Sequence, residues 1–202
     1  MHVLIDYQLG NLASIKQSFQ KAGIDLVLSD DAETIMQAES LILPGVGAFG
    51  SAMAMLESKG LVEAITLYAK QNRPLLGICL GMQLLYESSI EFGMTKGLGL
   101  LKGHVKAIPK SVTVPHMGWN RLKFAKPSHP IVKYSDNDDD VYFVHSYYVD
   151  GNENDIIAYT NYGLKIPAIV GKDNLIAMQF HPEKSGAAGA RLIRSYKEMM
   201  RL

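Results

Sequence analysis

No disulfide can form within this chain, because Cys79 is the only cysteine among its 202 residues. That removes the stapled, secreted class of fold and leaves the thiol as either a packed side chain or a reactive one. An excess of charge is missing too. Twenty Lys and Arg against 20 Asp and Glu give a formal net charge of zero, so no phosphate-neutralising footprint is visible and nucleic acid is not expected as a partner. No apolar stretch reaches the ~18 residues that suggest a membrane-spanning helix. The opening run His2-Val3-Leu4-Ile5 is strand-like, with no basic segment or long apolar stretch of a targeting signal. A soluble, cytoplasmic protein with no membrane partner is expected. The one acidic run, Asp136-Asn137-Asp138-Asp139-Asp140, lacks the D-x-D-x-D-G pattern of a calcium loop and reads as a solvated turn. A hydrophobic content of 48% in a chain this long supplies a sizeable core, so residues 1–202 are expected to form one domain.

What is present alternates between strand and helix patterns. Val3 to Asp6 reads as a buried strand, Asn11 as the cap of a helix running to Ala22, and Gly23 as its stop before a second strand at Leu26 to Leu28. Leu41-Ile42-Leu43 and Leu75-Leu76-Gly77-Ile78 are further short apolar runs, separated by helical material from about Ser51 to Gln71. Strands buried on two faces need helices on each side, which predicts an α/β fold around a mostly parallel sheet. The later half changes character, with strand candidates at His104 to Ile108, Asn120 to Phe124, Val141 to Val144, Ile156 to Tyr159, Pro167 to Val170 and Leu175 to Gln179. Few helices lie between them, so antiparallel additions are expected there. A final helix from about Ala188 carries Leu192, Ile193, Tyr196, Met199 and Met200 at helical spacing, a stripe that reads as core-facing.

The chemistry begins at Gly77-Ile78-Cys79-Leu80-Gly81-Met82-Gln83. An apolar strand ends at Cys79 and a helical composition from Gly81 to Glu87 follows, so the thiol stands at a sharp strand-to-helix turn. Gly77 and Gly81 flank it at the spacing of the hydrolase G-x-S-x-G elbow, where crowding leaves no room for Cβ atoms. A helix N-terminus favours a thiolate, and the Leu80 N–H can point at a developing oxyanion. A lone cysteine is ordinarily structural; the flanking glycines favour a nucleophile.

A thiol nucleophile needs a base. His181, in Met178-Gln179-Phe180-His181-Pro182-Glu183-Lys184-Ser185, follows an apolar strand that Pro182 stops. It therefore lies at a strand's carboxyl end, the side of an open α/β sheet where ligands bind. Glu183 is two residues on; in an extended chain both side chains leave on one side, so the carboxylate can orient the imidazole. A zinc site from Cys79, His181 and Glu183 lacks a fourth ligand at any recognisable spacing, and no metal is expected. The segment Pro44-Gly45-Val46-Gly47-Ala48-Phe49-Gly50 spells G-x-G-x-x-G. A dinucleotide fingerprint normally follows the first strand of a fold, and this one follows a later strand and carries Pro44 at its entry. Its glycines instead permit Val46 or Gly47 to turn an N–H towards the thiol as a second oxyanion donor.

The order of the Cys79 elbow and the His181-Pro182-Glu183 segment resembles the class I, or triad, glutamine amidotransferases. Asp6-Tyr7-Gln8-Leu9-Gly10-Asn11, Pro44-Gly45-Val46-Gly47, Pro115-His116-Met117-Gly118-Trp119-Asn120, His145-Ser146-Tyr147 and His181-Pro182-Glu183-Lys184-Ser185 look like the branch formed by the glutaminase subunits of imidazole glycerol phosphate synthases, of histidine biosynthesis. The resemblance implies a flavodoxin-like fold, a thioester mechanism on L-glutamine without a cofactor, and a (β/α)₈-barrel cyclase subunit that receives the ammonia through a channel. It implies that Gly47, Gln83, Ser146 and Tyr147 contact glutamine, and that Lys184 makes a salt bridge to the partner. Met117 and Trp119 suit a docking surface, although a Trp between strands is as often core. Glutaminases that feed sugar-modifying synthetases, a subunit whose triad never assembles, and a dinucleotide-binding domain are the alternatives.

Overall fold

Alternate residues of each apolar strand serve opposite faces of one sheet, which is why these strands are apolar throughout. In the computed structural model, which describes residues 1–202, the chain runs β1 (His2–Ile5), α1 (Leu12–Lys21), β2 (Leu26–Ser29), α2 (Ala32–Gln37), β3 (Ser40–Leu43), α3 (Phe49–Ser58), α4 (Leu61–Lys70), β4 (Leu75–Ile78) and α5 (Leu80–Leu84). Then come β5 (Tyr86–Ser89), β6 (Thr95–Lys96), β7 (Leu101–Ala107), β8 (His116–Arg121), β9 (Lys123–Phe124), β10 (Asp140–His145), β11 (Tyr147–Gly151), β12 (Ile156–Asn161), β13 (Lys165–Lys172), β14 (Leu175–Met178) and α6 (Gly186–Met200). The central sheet has the order β2-β1-β3-β4-β14-β13-β12-β9. Its first five strands are parallel and the last three add antiparallel, as the change of pattern along the chain predicts. The parallel half reproduces the flavodoxin-like strand order.

Val3, Ile5, Leu41, Leu43 and Leu75 pack on one face with Phe49, Leu56, Ile65 and Tyr68 of α3 and α4. Leu4, Ile42, Leu76 and Ile78 pack on the other with Ile15 and Phe19 of α1 and Leu192, Ile193 and Tyr196 of α6. Asn11 caps α1, its side-chain oxygen accepting from the Ser14 N–H, and Gly23 takes up a left-handed φ of +74° where the chain leaves the helix. No helix is long and apolar enough to cross a membrane.

Three local readings change. The helical stretch from Ser51 to Gln71 is two helices, broken where Gly60 adopts φ +68°, a conformation that favours glycine. The helix after Cys79 ends at Leu84, because the N–H groups of Leu98, Leu100 and Gly99 take the Leu84, Leu85 and Tyr86 carbonyls and draw the following residues into β5. That strand and β11 join β7 and β6 in a separate four-stranded sheet, while β8 and β10 form a two-stranded ladder.

Candidate active site

Three neighbouring strands deliver the candidate residues. β3, β4 and β14 run side by side, and at their carboxyl ends stand Pro44 to Gly47, Cys79 and His181 respectively. Cys79 holds φ 55°, ψ −113°, a strained conformation for a residue with a Cβ and the signature of a nucleophile elbow. The flanking glycines are required by space. A Cβ on Gly81 would lie 1.9 Å from the Leu43 carbonyl oxygen, and one on Gly77 would meet Gly81 O, Met82 Cα and Leu85 Cδ1 at 3.0 Å. With α5 only five residues long, the unpaired amides of its first turn, Leu80 among them, do more than any macrodipole.

His181 lies three residues past β14, its own N–H donating to the Tyr142 carbonyl at 3.0 Å. Residues Pro182–Lys184 form a 3-10 turn rather than an extended chain, because the Lys184 and Ser185 N–H groups bond back to His181 and Pro182. The expected pair nonetheless meets: His181 Nδ1 is 2.8 Å from Glu183 Oε1, with side-chain exposures of 4% and 1%. The Nδ1–H is thereby assigned to the carboxylate and Nε2 is left buried without a partner. Burial lowers the basicity of the ring; the interaction with Cys79, then that with Glu183, outweighs it and lifts His181 to about 9. The site favours a protonated imidazole beside the thiol.

A cavity of about 330 Å³ opens over these groups, lined by Cys79, Leu80, His181, Val46, Gly47, Gln83, Ser146, Tyr147 and Lys184. It gathers every expected substrate and oxyanion position into one space, with Glu183 behind His181. Below it, the buried Tyr7 hydroxyl donates to the Pro44 carbonyl at 2.6 Å, and a Cβ on Gly45 would sit 2.5 Å from that hydroxyl. Gly45 is thus spent on packing against Tyr7 and the elbow, not on a pyrophosphate. Val46 and Gly47 donate their N–H groups to nothing else in the chain, and Gly47 has φ +90° with open space around it.

Lys184 is exposed at the cavity wall and makes none of the chain's ion pairs. Met117 and Trp119 are 60% and 55% exposed on β8, so the core reading of Trp119 is excluded. Sequence reading missed Glu91, a further cavity residue whose Oε2 accepts from the Phe49 N–H at 2.6 Å. It also missed Gln179, whose Nε2 lies 4.0 Å from Cys79 Sγ. Glu91 stands in an unremarkable turn, but Gln179 was within reach as the residue two before the base. No group of three or more His, Cys, Asp or Glu is spaced to hold a metal ion.

An elbow thiol, an acid-oriented histidine and free backbone donors at the carboxyl edge of a flavodoxin-like sheet define a triad hydrolase of the amidotransferase type. The family described as glutamine amidotransferase class-I matches residues 3–196. The subunit HisH of imidazole glycerol phosphate synthase from Lactococcus lactis is 50% identical over 197 residues, covering 97% of both chains. Its counterpart from Oceanobacillus iheyensis is 48% identical over 202 residues, covering 100% of both. Among solved structures, a glutamine amidotransferase aligns with a TM-score of 0.78 at 18% identity over 99% of both chains. The Trypanosoma brucei CTPS glutaminase domain aligns at 0.67 and 18%, over 100% of this chain and 94% of that one; both likenesses show the fold. The chain belongs to the class-I glutamine amidotransferases and, within them, to the imidazole glycerol phosphate synthase HisH subunits.

Proposed function

We propose that residues 1–202 form one glutaminase domain that hydrolyses L-glutamine to glutamate and ammonia through a thioester on Cys79. The ammonia passes to a (β/α)₈-barrel cyclase subunit, which makes imidazole glycerol phosphate and AICAR in histidine biosynthesis, in the cytoplasm. The observation that carries the chemistry is the buried His181–Glu183 pair facing the cavity that holds the strained thiol.

The thiolate attacks the side-chain amide carbon, and the oxyanion that forms takes the Leu80 N–H and that of Val46 or Gly47. Protonated His181 hands its Nε2 proton to the departing nitrogen, which leaves as ammonia. Neutral His181 then takes a proton from water, whose hydroxide adds to the thioester carbonyl, and the thiolate leaves with glutamate as product. Glu183 keeps the Nδ1–H tautomer and offsets the imidazolium charge. Glu91 is the cavity's carboxylate and suits the substrate's ammonium, while Gln83, Ser146 and Tyr147 supply polar contacts to its other end. No step needs a metal or cofactor.

Family membership to the HisH subunits over the whole chain supports the cyclase as partner, above the alternative of a sugar-modifying synthetase. Exposed Met117 and Trp119, with Lys184 at the cavity rim, are the proposed contacts. The test is glutamate release by the purified chain alone and mixed with the barrel subunit. Release accompanied by imidazole glycerol phosphate formation is expected; a chain that turns over no glutamine in either mixture overturns the reading.

A further inference from the structure

His145 lines the cavity beside Cys79, yet both its ring nitrogens are occupied. Nδ1 is 2.7 Å from the Tyr147 carbonyl oxygen, and Nε2 is 3.0 Å from His116 Nδ1. A carbonyl only accepts, so Nδ1 carries the His145 proton. Burial pushes His145 down to about 3, leaving it neutral, so its Nε2 is a lone pair and His116 must donate to it from Nδ1. The order of protons then runs one way along the chain. His116 Nε2 is 2.7 Å from Asn120 Oδ1; a neutral His116 that donates from Nδ1 requires this amide turned by 180°, so that its Nδ2–H faces the ring.

His116 cannot turn out of this arrangement. It is fully buried and stacked between Phe143 and Tyr162, with ring centroids 4.7 and 3.9 Å away and planes within 18° and 17°. Its strand partner in the two-stranded ladder is His145 itself. At the other end, the Tyr147 carbonyl also accepts from Gln83 Nε2 at 3.0 Å, and the same Nε2 donates to Gln179 Oε1 at 3.0 Å. With Gln179 Oε1 engaged, its Nε2–H is the group left facing Cys79 Sγ, 4.0 Å away.

We infer that His116 and His145 are a positioning relay which, through the Tyr147 carbonyl, sets the side-chain amides of Gln83 and Gln179 so that an N–H donor is held against the Cys79 thiol. The relay deepens the glutaminase reading and rests on it for its purpose, which is to favour the thiolate in a buried site where an unpaired anion is costly. It also explains why neither histidine serves as a base. Its outer end lies on β8, the strand that turns Met117 and Trp119 outward, so a partner pressing on that face bears on the same hydrogen-bond chain that reaches the thiol.

The experiment uses the full chain, free and with the barrel subunit. Long-range ¹⁵N spectra should show both His116 and His145 as neutral Nδ1–H tautomers at pH 7; an Nε2–H tautomer at either overturns the proton order and the relay. His116→Phe keeps the stack and removes the donor. It should lower the iodoacetamide alkylation rate of Cys79 at pH 7, and kcat for glutamine in the complex, by about tenfold. His116→Asn, which places an amide N–H where Nδ1–H was, should recover part of both, which a merely structural role would not produce. A folded His116→Phe variant with wild-type alkylation and kcat overturns the relay. Should that variant fail to fold, the wild-type tautomers decide alone: an Nε2–H tautomer at His116 overturns the relay equally. If the wild-type complex released no glutamate, the glutaminase reading would fall, while tautomers and alkylation would still decide the relay.

Discussion

The amide of Cys79 donates to the carbonyl of Met178 at 2.8 Å, so one hydrogen bond past the last ladder pair ties the strand of the proposed nucleophile to that of the proposed base. The parallel register Ile78↔Met178 sets where the two chains separate: the elbow turns at once into α5, and the β14 chain runs three residues further to bring His181 over the thiol. Residues a hundred positions apart are thereby placed by backbone pairing, before any side chain acts.

Because Cys79 is the only thiol, its replacement is a clean test. Cys79→Ala and Cys79→Ser should abolish glutamine-dependent synthesis in the complex while leaving synthesis from added ammonium salt intact. A glutamine analogue bearing a diazo ketone should add one equivalent of mass, and only at this residue. Glutamine turnover by Cys79→Ala would remove the thioester from the mechanism.

The base and its orienter should be unequal. His181→Ala should lower turnover by about 10²–10⁴-fold, and His145 offers no replacement because both its nitrogens are engaged. Glu183→Gln retains an oxygen to accept from Nδ1 and should cost less than His181→Ala, at unchanged KM. Steady-state kinetics of both variants in the complex check the ranking, and a near-normal His181→Ala enzyme would contradict it.

Stability should carry the mark of the same pair. His181 ordinarily titrates at 6.5 and is lifted to about 9 in the fold, by Cys79 and then Glu183 against the opposing effect of burial. A raised value means that the folded state binds the proton more tightly than the unfolded one, so this stabilisation is complete below pH 6.5 and lost as pH rises to about 9. Denaturant unfolding from pH 6 to 10 should show wild type losing more stability across that window than Glu183→Gln. Parallel curves would mean that the pair does not hold the proton.

Two glycines at the site should respond in opposite ways. Gly81→Ala brings a Cβ to 1.9 Å from the Leu43 carbonyl and should cost roughly 3 kcal/mol or more of stability through forced backbone movement. Gly47→Ala meets no atom within 4 Å but must hold φ +90°, so it should fold at a cost of about 1–2 kcal/mol while lowering turnover through a misplaced oxyanion donor. Thermal midpoints and kcat measured on both separate the effects; similar behaviour of the two would refute the packing argument at Gly81.

Trp119 should matter to the complex and not to the fold. At 55% exposure, with its ring edge-on to Tyr142 at 5.9 Å, its removal should leave the thermal midpoint within about 1–2 °C. In the docked complex, loss of an aromatic anchor should weaken binding of the barrel subunit by about 2 kcal/mol, or thirtyfold. The free N–H groups of Val46 and Gly47 suggest a donor that the partner brings into line. The isolated chain is therefore expected to release glutamate very slowly, and the partner with its acceptor bound to raise the rate by orders of magnitude. Equal rates alone, with partner, and with partner plus acceptor would end the switching idea.

The amino-acid order alone determined the strands buried on two faces, the elbow and the His181-Pro182-Glu183 segment, because each is written in local chemistry: uninterrupted apolar runs, glycines two residues either side of a thiol, a proline after a strand. It also carried the family, since the elbow and the His181-Pro182-Glu183 segment stand in a set order along the chain. The tertiary structure decided what depends on distant neighbours. The helix at Leu80 stops at Leu84 because a segment thirteen or more residues on captures its carbonyls. Trp119 faces outward because β8 pairs only with β10 in a two-stranded ladder. Both ring nitrogens of the cavity residue His145 are engaged because His116 Nδ1 stands 3.0 Å from its Nε2 and the Tyr147 carbonyl 2.7 Å from its Nδ1. None of these is a property of composition or spacing. Each follows from which backbone and side-chain donors meet which acceptors once the chain has folded, and that pairing has no local signature to read.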